Sequence, residues 1–185
     1  MSKPTHEERS SKCFVFVLAT FVILCAVVLG IASFLRVRGP YVELISATLS
    51  QINYSASPSS PSFNATLITF LIIRNQNYGP FSYENSMMSV LYAGAKYGDK
   101  GIRSGRVNER ETNELNVIVI VRSATVPVTG NLSSDINSGT LNLTSYVKFS
   151  GIVHLLRIIN KKKTIEMACT MNLNLTSLAI QAIQC

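Results

Sequence analysis

Residues 164–176 read TIEMACTMNLNLT. Ile165, Met167, Cys169, Met171, Leu173 and Leu175 share one register, while Glu166, Thr170, Asn172 and Asn174 occupy the other. Side chains alternate between the two faces of a strand, so this pattern describes a strand with one face in a core and one in water. Working back from it, Leu141 to Ile158 predicts its partner, joined across Asn160-Lys-Lys-Lys163. Val117-Ile-Val-Ile-Val121, within Thr112 to Ser123, is wholly β-branched and suits a pleated sheet better than a helix. In Phe63 to Arg74 (FNATLITFLIIR), Phe63, Ala65, Leu67, Leu71 and Ile73 form one apolar register. Ile68, Phe70 and Ile72 make the other apolar as well, which predicts a central strand covered on both faces. Tyr41 to Tyr54 and Phe81 to Tyr92 are further strands. Ser55 to Ser62 and Asn75 to Pro80 read as loops, and 94–101 as a hairpin-like excursion. Asn131 to Gly139 is predicted as a short helix, with Asn131 as N-cap and Gly139 as stop. About seven short strands separated by turn signals predict an all-β sandwich.

Ahead of these strands lies a run of another kind, Cys13 to Leu35 (CFVFVLATFVILCAVVLGIASFL), without a charge or a proline. As a helix it would cover roughly 35 Å, against about 30 Å for a bilayer's hydrocarbon core. Thr20 and Ser33 can hydrogen-bond their own backbone, so the run has no polar face to turn outward from a soluble core. It is expected to be a single membrane span. The domain plan is then a short arm (1–12), a transmembrane signal-anchor helix (13–35) and a β-sandwich domain (36–185).

The chain carries 17 Lys+Arg against 10 Asp+Glu, a formal net charge of +7. From Gly39 onward there are twelve basic and eight acidic residues, too mild an excess for a nucleic-acid binder. It suits residence beside an anionic membrane or cell-wall matrix. Lys3, Arg9 and Lys12 before the span, against Arg36 and Arg38 after it, only weakly favour a cytosolic N-terminus.

Five N-glycosylation sequons, at Asn53, Asn64, Asn131, Asn142 and Asn174, all follow the span. Asn64, Asn142 and Asn174 alternate against apolar neighbours and so are expected to point outward. Their use would place the domain in the secretory lumen and then outside the cell. A secreted chain cleaved near Ser33 is the alternative, but the apolar run exceeds the roughly 7–15 residues of a secretory signal.

No catalytic or cofactor-binding constellation is legible. His6 and His154 fall on opposite sides of the proposed membrane, and the chain has no phosphate loop, HExxH or CxxC. No enzyme activity, cofactor or metal is expected. His154 reads as a strand-face residue. Cys25 lies mid-span and Cys13 at the cytosolic boundary, where palmitoylation is a candidate modification. Cys169 and Cys185 are the one pair in an oxidising compartment, and a bridge between them is favoured over a buried free thiol at Cys169. It would pin an otherwise frayed tail. Lys161, Lys162 and Lys163 are placed at a hairpin tip, as a solvated turn or as a contact for an anionic surface. Tyr78, Tyr83, Tyr92 and Tyr97 are expected to line a sandwich edge.

Several stretches together resemble the plant late-embryogenesis-abundant type 2 proteins, the LEA-14 or WHy-domain group that includes the membrane-anchored NDR1/HIN1-like set. They are Arg74-Asn-Gln-Asn-Tyr-Gly-Pro-Phe-Ser-Tyr-Glu-Asn85, Val90-Leu-Tyr-Ala-Gly94, Asp135-Ile-Asn-Ser-Gly139, Ser150-Gly-Ile-Val153 and Cys169 to Thr176, with the terminal Cys185. One departure stands out: the family has Asn-Pro-Asn where this chain has Asn75-Gln76-Asn77, which removes a fixed φ from the turn. The resemblance implies a fibronectin-III-like or immunoglobulin-like sandwich, plasma-membrane anchoring, no enzyme activity, and a part in stress or defence responses. Two functions follow as expectations. One is an interaction or surface-protective module with a protein or cell-wall partner. The other is a lipid-handling module, for which a tunnel lined by Leu67, Leu71, Val119 and Phe149 would speak and a filled core would not.

Overall fold

In the computed structural model the described residues are 6–34, 36–57, 59–123, 131–155 and 159–185. The chain divides into two compact units, Met1–Arg36 and Val37–Cys185.

The first unit contains helix α1, His6–Phe34. Phe14–Ser33 within it has a mean hydropathy of 3.0, and none of that stretch is buried. It is a helix long and apolar enough to cross a membrane. Thr20 Oγ1 donates to the Val17 carbonyl at 2.9 Å, which satisfies the hydroxyl inside the helix itself.

The second unit is an all-β sandwich of two antiparallel sheets with one short helix. One sheet has the order β1 (Tyr41–Ser55), β2 (Ser62–Arg74), β6 (Thr112–Arg122). The other runs β4 (Ala95–Ile102), β3 (Phe81–Tyr92), β7 (Thr140–Leu155), β8 (Ile159–Asn174), β9 (Ala179–Gln184), with β5 (Gly105–Val107) also paired to β3. The inward registers form the core. Phe63, Leu67, Leu71 and Ile73 of β2 meet Val119 and Val121 of β6, Met88 and Val90 of β3, Phe149 of β7 and Met171 of β8, all at 0–1% exposure. Helix α2, Leu132–Ser138, closes one end by burying Leu132 and Ile136. It stops at Gly139, whose φ of 76° is a left-handed conformation that glycine adopts without a Cβ penalty.

Several expectations need correction. There are nine strands among the described residues, not about seven: β5 and β9 are added, and the excursion at 94–101 is itself a strand, β4. β4 was obscured by its composition, AKYGDKGI, which looks like turn sequence. Its glycine has a packing role: a Cβ on Gly98 would collide with the Ile120 carbonyl of β6, where the two sheets approach closely. The true turn is Ala93-Gly94, both at positive φ as a two-residue hairpin demands. The tail that the expected bridge pins is itself a strand: β9 pairs with β8 from Thr170↔Gln184 to Asn174↔Ala179. Lys161, Lys162 and Lys163 are not at a hairpin tip but lie within β8, opposite Val153, Ile152 and Gly151. β2 is central, yet its second face is open. Phe70 of β2 and Ile118 and Ile120 of β6 are 44%, 49% and 52% exposed on the outer side. A two-layer sandwich buries one face of each sheet, and the alternation of both registers carries no label for which one. Asn131 precedes α2, but its side chain makes no capping hydrogen bond.

The tyrosines also depart from expectation. Tyr83, Tyr92 and Tyr97 are core residues at 3–4% exposure, not edge residues. Tyr83 packs edge-on against Phe149 and Tyr92 against Tyr97, with ring centroids 5.2 and 5.5 Å apart. Only Tyr78 of the four is exposed, with the Arg110 guanidinium 4.0 Å over its ring.

Candidate functional site

β1 begins at Tyr41, and the end of the sandwich where the chain enters also holds the β2–β3 turn, the β5–β6 turn and the junction of β7 with β8. Asn75 organises this end. It is 1% exposed, and its Nδ2 donates to the carbonyls of Gly79 (2.9 Å), Asn108 (2.9 Å) and, more weakly, Val107 (3.3 Å). Its Oδ1 accepts from the Asn77 backbone N–H (3.1 Å) and from Asn77 Nδ2 (2.9 Å). Asn77, buried beside it, then grips the entering chain: Nδ2 donates to the Arg38 carbonyl (2.9 Å), and Oδ1 accepts from the Arg38 N–H (2.7 Å). The two amides add to the backbone bonds that extend the pairing here, Asn75 N–H to the Glu111 carbonyl (2.9 Å) and Arg110 N–H to the Asn77 carbonyl (3.2 Å). Gln76 between them is exposed, so the turn is held without the proline of the Asn-Pro-Asn pattern.

Beside this clamp a polar cleft of about 660 Å³ is lined by Tyr78, Gly79, Pro80, Ser82, Arg106, Glu109, His154 and Asn160. Gly79 sits where a Cβ would collide with the His154 carbonyl, which lets the turn lie flat on β7. His154 Nδ1 and Asn160 Oδ1 are 2.8 Å apart, so the ring is oriented by an amide rather than by a carboxylate. A second cleft of about 550 Å³, bordered by Glu84, Ser150, Lys162 and Lys163, adjoins it. Among the described residues no group of three or more His, Cys, Asp or Glu is placed to hold a metal ion.

Six basic residues lie at this same end, whereas Arg122 lies at the other, opposite Asn64. Arg38, Arg74, Arg106, Arg110, Lys161 and Lys162 are all exposed there, alongside the acidic Glu109 and Glu111. The three lysines are thus part of a larger basic surface, which sequence separation concealed.

The sequon asparagines gather at the opposite end. Asn53 and Asn64 are direct cross-strand partners near the end of β1 and the start of β2. Asn131 precedes α2, Asn142 lies near the start of β7, and Asn174 closes β8. Asn53, Asn64, Asn131 and Asn142 are exposed. Asn174 is half-buried, its Oδ1 accepting from the backbone N–H groups of Thr176 and Ser177 at 2.8 and 2.9 Å. Cys169 and Cys185 form a disulfide, with Cα atoms 4.1 Å apart, that joins β8 to the end of β9. Cys25 is a free cysteine on the apolar helix. The side chain of Cys13 lies outside the described residues.

At the sequon end Tyr92 Oη donates to Asp135 Oδ2 at 2.7 Å and ties β3 to α2. Burial, followed by this carboxylate, pushes the Tyr92 hydroxyl well above its ordinary range, and burial raises Tyr83. A hydrogen bond to Glu166 raises Tyr146 on the outer sheet face. In the unfolded chain all three would ionise near pH 10. Their folded pKa values lie higher, so the stabilisation is complete below pH 10 and is lost as pH rises beyond it. Melting temperature is therefore expected to stay level with respect to these groups to about pH 9 and to drop above 10. The drop is expected to come from Tyr83 and Tyr92, which burial raises, while solvent screening leaves Tyr146 a small share. Tyr92→Phe should flatten the drop. A melting temperature that does not change from pH 9 to 11 would contradict it.

Fold and surface together define a β-sandwich protein that carries an apolar N-terminal helix and gathers its sequon asparagines at one end. Over 184 residues the chain is 35% identical to a late embryogenesis abundant protein of Arabidopsis thaliana, covering 97% of this chain and 85% of that protein. It belongs to the late embryogenesis abundant family. No family model matches the chain. Among solved structures, the solution structure of an Arabidopsis thaliana protein is similar over 75% of this chain and 83% of its own, with a TM-score of 0.47 and 14% identity. That of another late embryogenesis abundant protein covers 94% of this chain and 95% of its own, with a TM-score of 0.35 and 10% identity.

Proposed function

We propose that this chain is a non-enzymatic, single-pass plasma-membrane protein of the NDR1/HIN1-like kind, with residues 1–12 in the cytosol, residues 13–35 in the bilayer and residues 36–185 outside the cell. Its sandwich serves there as an interaction or surface-protective module in stress or defence responses. The observation that carries this reading is the placement of all five sequon asparagines at the end of the sandwich remote from Tyr41, where the chain enters. Glycans there would require the secretory lumen, and hence a domain outside the cell. Exposed Phe70, Ile118 and Ile120 support an interaction role, because soluble monomers seldom leave adjacent large apolar side chains bare without a use for them. Leu67, Leu71, Val119 and Phe149, the side chains a lipid tunnel would need, are at 0–1% exposure in the core. That favours the interaction module over the lipid-handling alternative.

The test is glycosidase treatment of the full-length protein in microsomes after alkaline carbonate washing. A mobility shift that disappears when the five asparagines are replaced by glutamine, in a protein retained by the membrane, is the expected result. No shift would remove the outward orientation. Release by carbonate would favour the secreted form cleaved near Ser33.

A further inference from the structure

We infer that an N-glycan on Asn64 lies along the outer face of the β1–β2–β6 sheet and covers Ile120 and Ile118. This rests on the outward orientation proposed for the domain, which is what would expose Asn64 to glycosylation. In β2 the outer register runs Asn64, Thr66, Ile68, Phe70, Ile72, and the same face of β6 carries Arg122, Ile120 and Ile118. Asn64 pairs with Arg122 and Thr66 with Ile120, so Ile120 is the diagonal neighbour of Asn64, about 7–8 Å away. Ile118 is two residues further on, roughly 14 Å from Asn64. Phe70, along β2 itself, is at about 20 Å.

Phe70, Ile118 and Ile120 are each about half exposed on this face. At roughly 150–250 Å² for an aromatic side chain and less for an isoleucine, the three bare about 300 Å² at most. A stable interface between two proteins takes about 800 Å² from each partner. A second copy would have to add Glu43 and Glu114, which flank Ile72 at one end, and Asn53, Asn64 and Arg122, which form a row across the other. A sugar chain rooted on Asn64 needs neither. A pyranose ring presents a face of C–H groups and N-acetylglucosamine adds a methyl, so the first sugars can withdraw isoleucine surface from water while their hydroxyls stay in it. Covalent attachment also removes the translational cost that a free ligand incurs. Asn53 lies beside Asn64 but on β1, where its diagonal neighbour is Thr66 rather than Ile120. Phe70, beyond the first sugars, stays bare for the partner of the interaction module.

The full chain, produced in a eukaryotic host and held in lipid nanodiscs, tests this. Occupancy of each sequon would be read by peptide mass spectrometry, and isoleucine-methyl labelling would report contacts with the sugars. In the chain occupied at Asn64, a nuclear Overhauser effect is expected between an N-acetyl methyl of the glycan core and the Ile120 methyl groups. Asn64→Gln should raise the urea unfolding constant of the sandwich roughly ten-fold, as uncovering about two methylene groups would. In a chain carrying Ile118→Thr and Ile120→Thr, which keep β-branched side chains, the same loss of the glycan should have little effect. Made in bacteria, where no sugar is added, Asn64→Gln should change nothing.

Occupied Asn64 with no such contact, or with the same loss in both backgrounds, would overturn the cover and leave the glycan in solvent. A dimer of the occupied chain that Ile118→Thr and Ile120→Thr dissolve would assign the face to a second copy instead. Asn64 unoccupied while other sequons carry glycans would overturn the cover and keep the outward orientation. No glycan at any sequon would overturn both.

Discussion

Asn75→Ala is expected to destabilise the sandwich by about 3–5 kcal/mol, measured by urea unfolding of the full chain in detergent. Asn75 is almost completely buried and its amide joins three backbone carbonyls, from two different loops, to the Asn77 backbone and side chain. Truncation removes the partner of several buried groups at once, and each group left unsatisfied costs about 1–3 kcal/mol. Water entering the vacated space will recover part of that, which is why the sum is not the expectation. Asn75→Asp should be nearly as damaging, since a carboxylate accepts but cannot donate to Gly79, Val107 and Asn108. Against a total stability of about 5–15 kcal/mol, either change would leave a marginal domain. A loss below about 1 kcal/mol, typical of one exposed hydrogen bond, would show that the loops hold themselves. Asn77→Ala should cost less, about 1–2 kcal/mol, because the three carbonyls bound by Asn75 keep their donor.

The second large effect concerns the Cys169–Cys185 bridge. The two residues are 16 apart in sequence, and opening a loop of that size releases about 3 kcal/mol of unfolded-state restriction on the chain-entropy model. Cys185→Ser breaks the bridge while leaving the buried Cys169 sulfur in its apolar register, so packing is disturbed less than by a change at Cys169. The melting temperature of Cys185→Ser is expected to fall several degrees, and reductant should lower that of the parent chain by a similar amount without affecting the variant. Exchange of the β9 amides should accelerate first, since β9 lies at the sheet edge and, among the described residues, pairs with β8 alone. If reductant leaves the parent unchanged, β9 is held by its ladder alone.

The alternation of Ile165 to Leu175 placed a strand, its buried face and the inward direction of Cys169 from sequence alone, because side-chain direction has a period of two and water rejects an apolar face. The same logic reached the inward register of β2 and the exposure of Asn64 and Asn142, whereas Asn174, expected to point outward, is half-buried. It did not reach β4 or β9. AKYGDKGI lacks alternation because Gly98 answers to a neighbour on the other sheet, and Ile180 and Ile183 of β9 are spaced three apart. It also over-read β2, where an apolar second face lies open.

The apolar helix and the class of fold were thus legible in the chain, since each follows from local periodicity and length. Which residues share an end of the sandwich was settled only by strand order and direction. Arg38, Arg74, Arg106, Arg110, Lys161 and Lys162 are scattered over more than a hundred positions, as are the five sequon asparagines. Antiparallel pairing reverses the chain at every turn, so distant residues come to one end and near ones part. That reversal brings the five sequon asparagines to one end, because register and topology are properties of pairs of strands and no single stretch contains them.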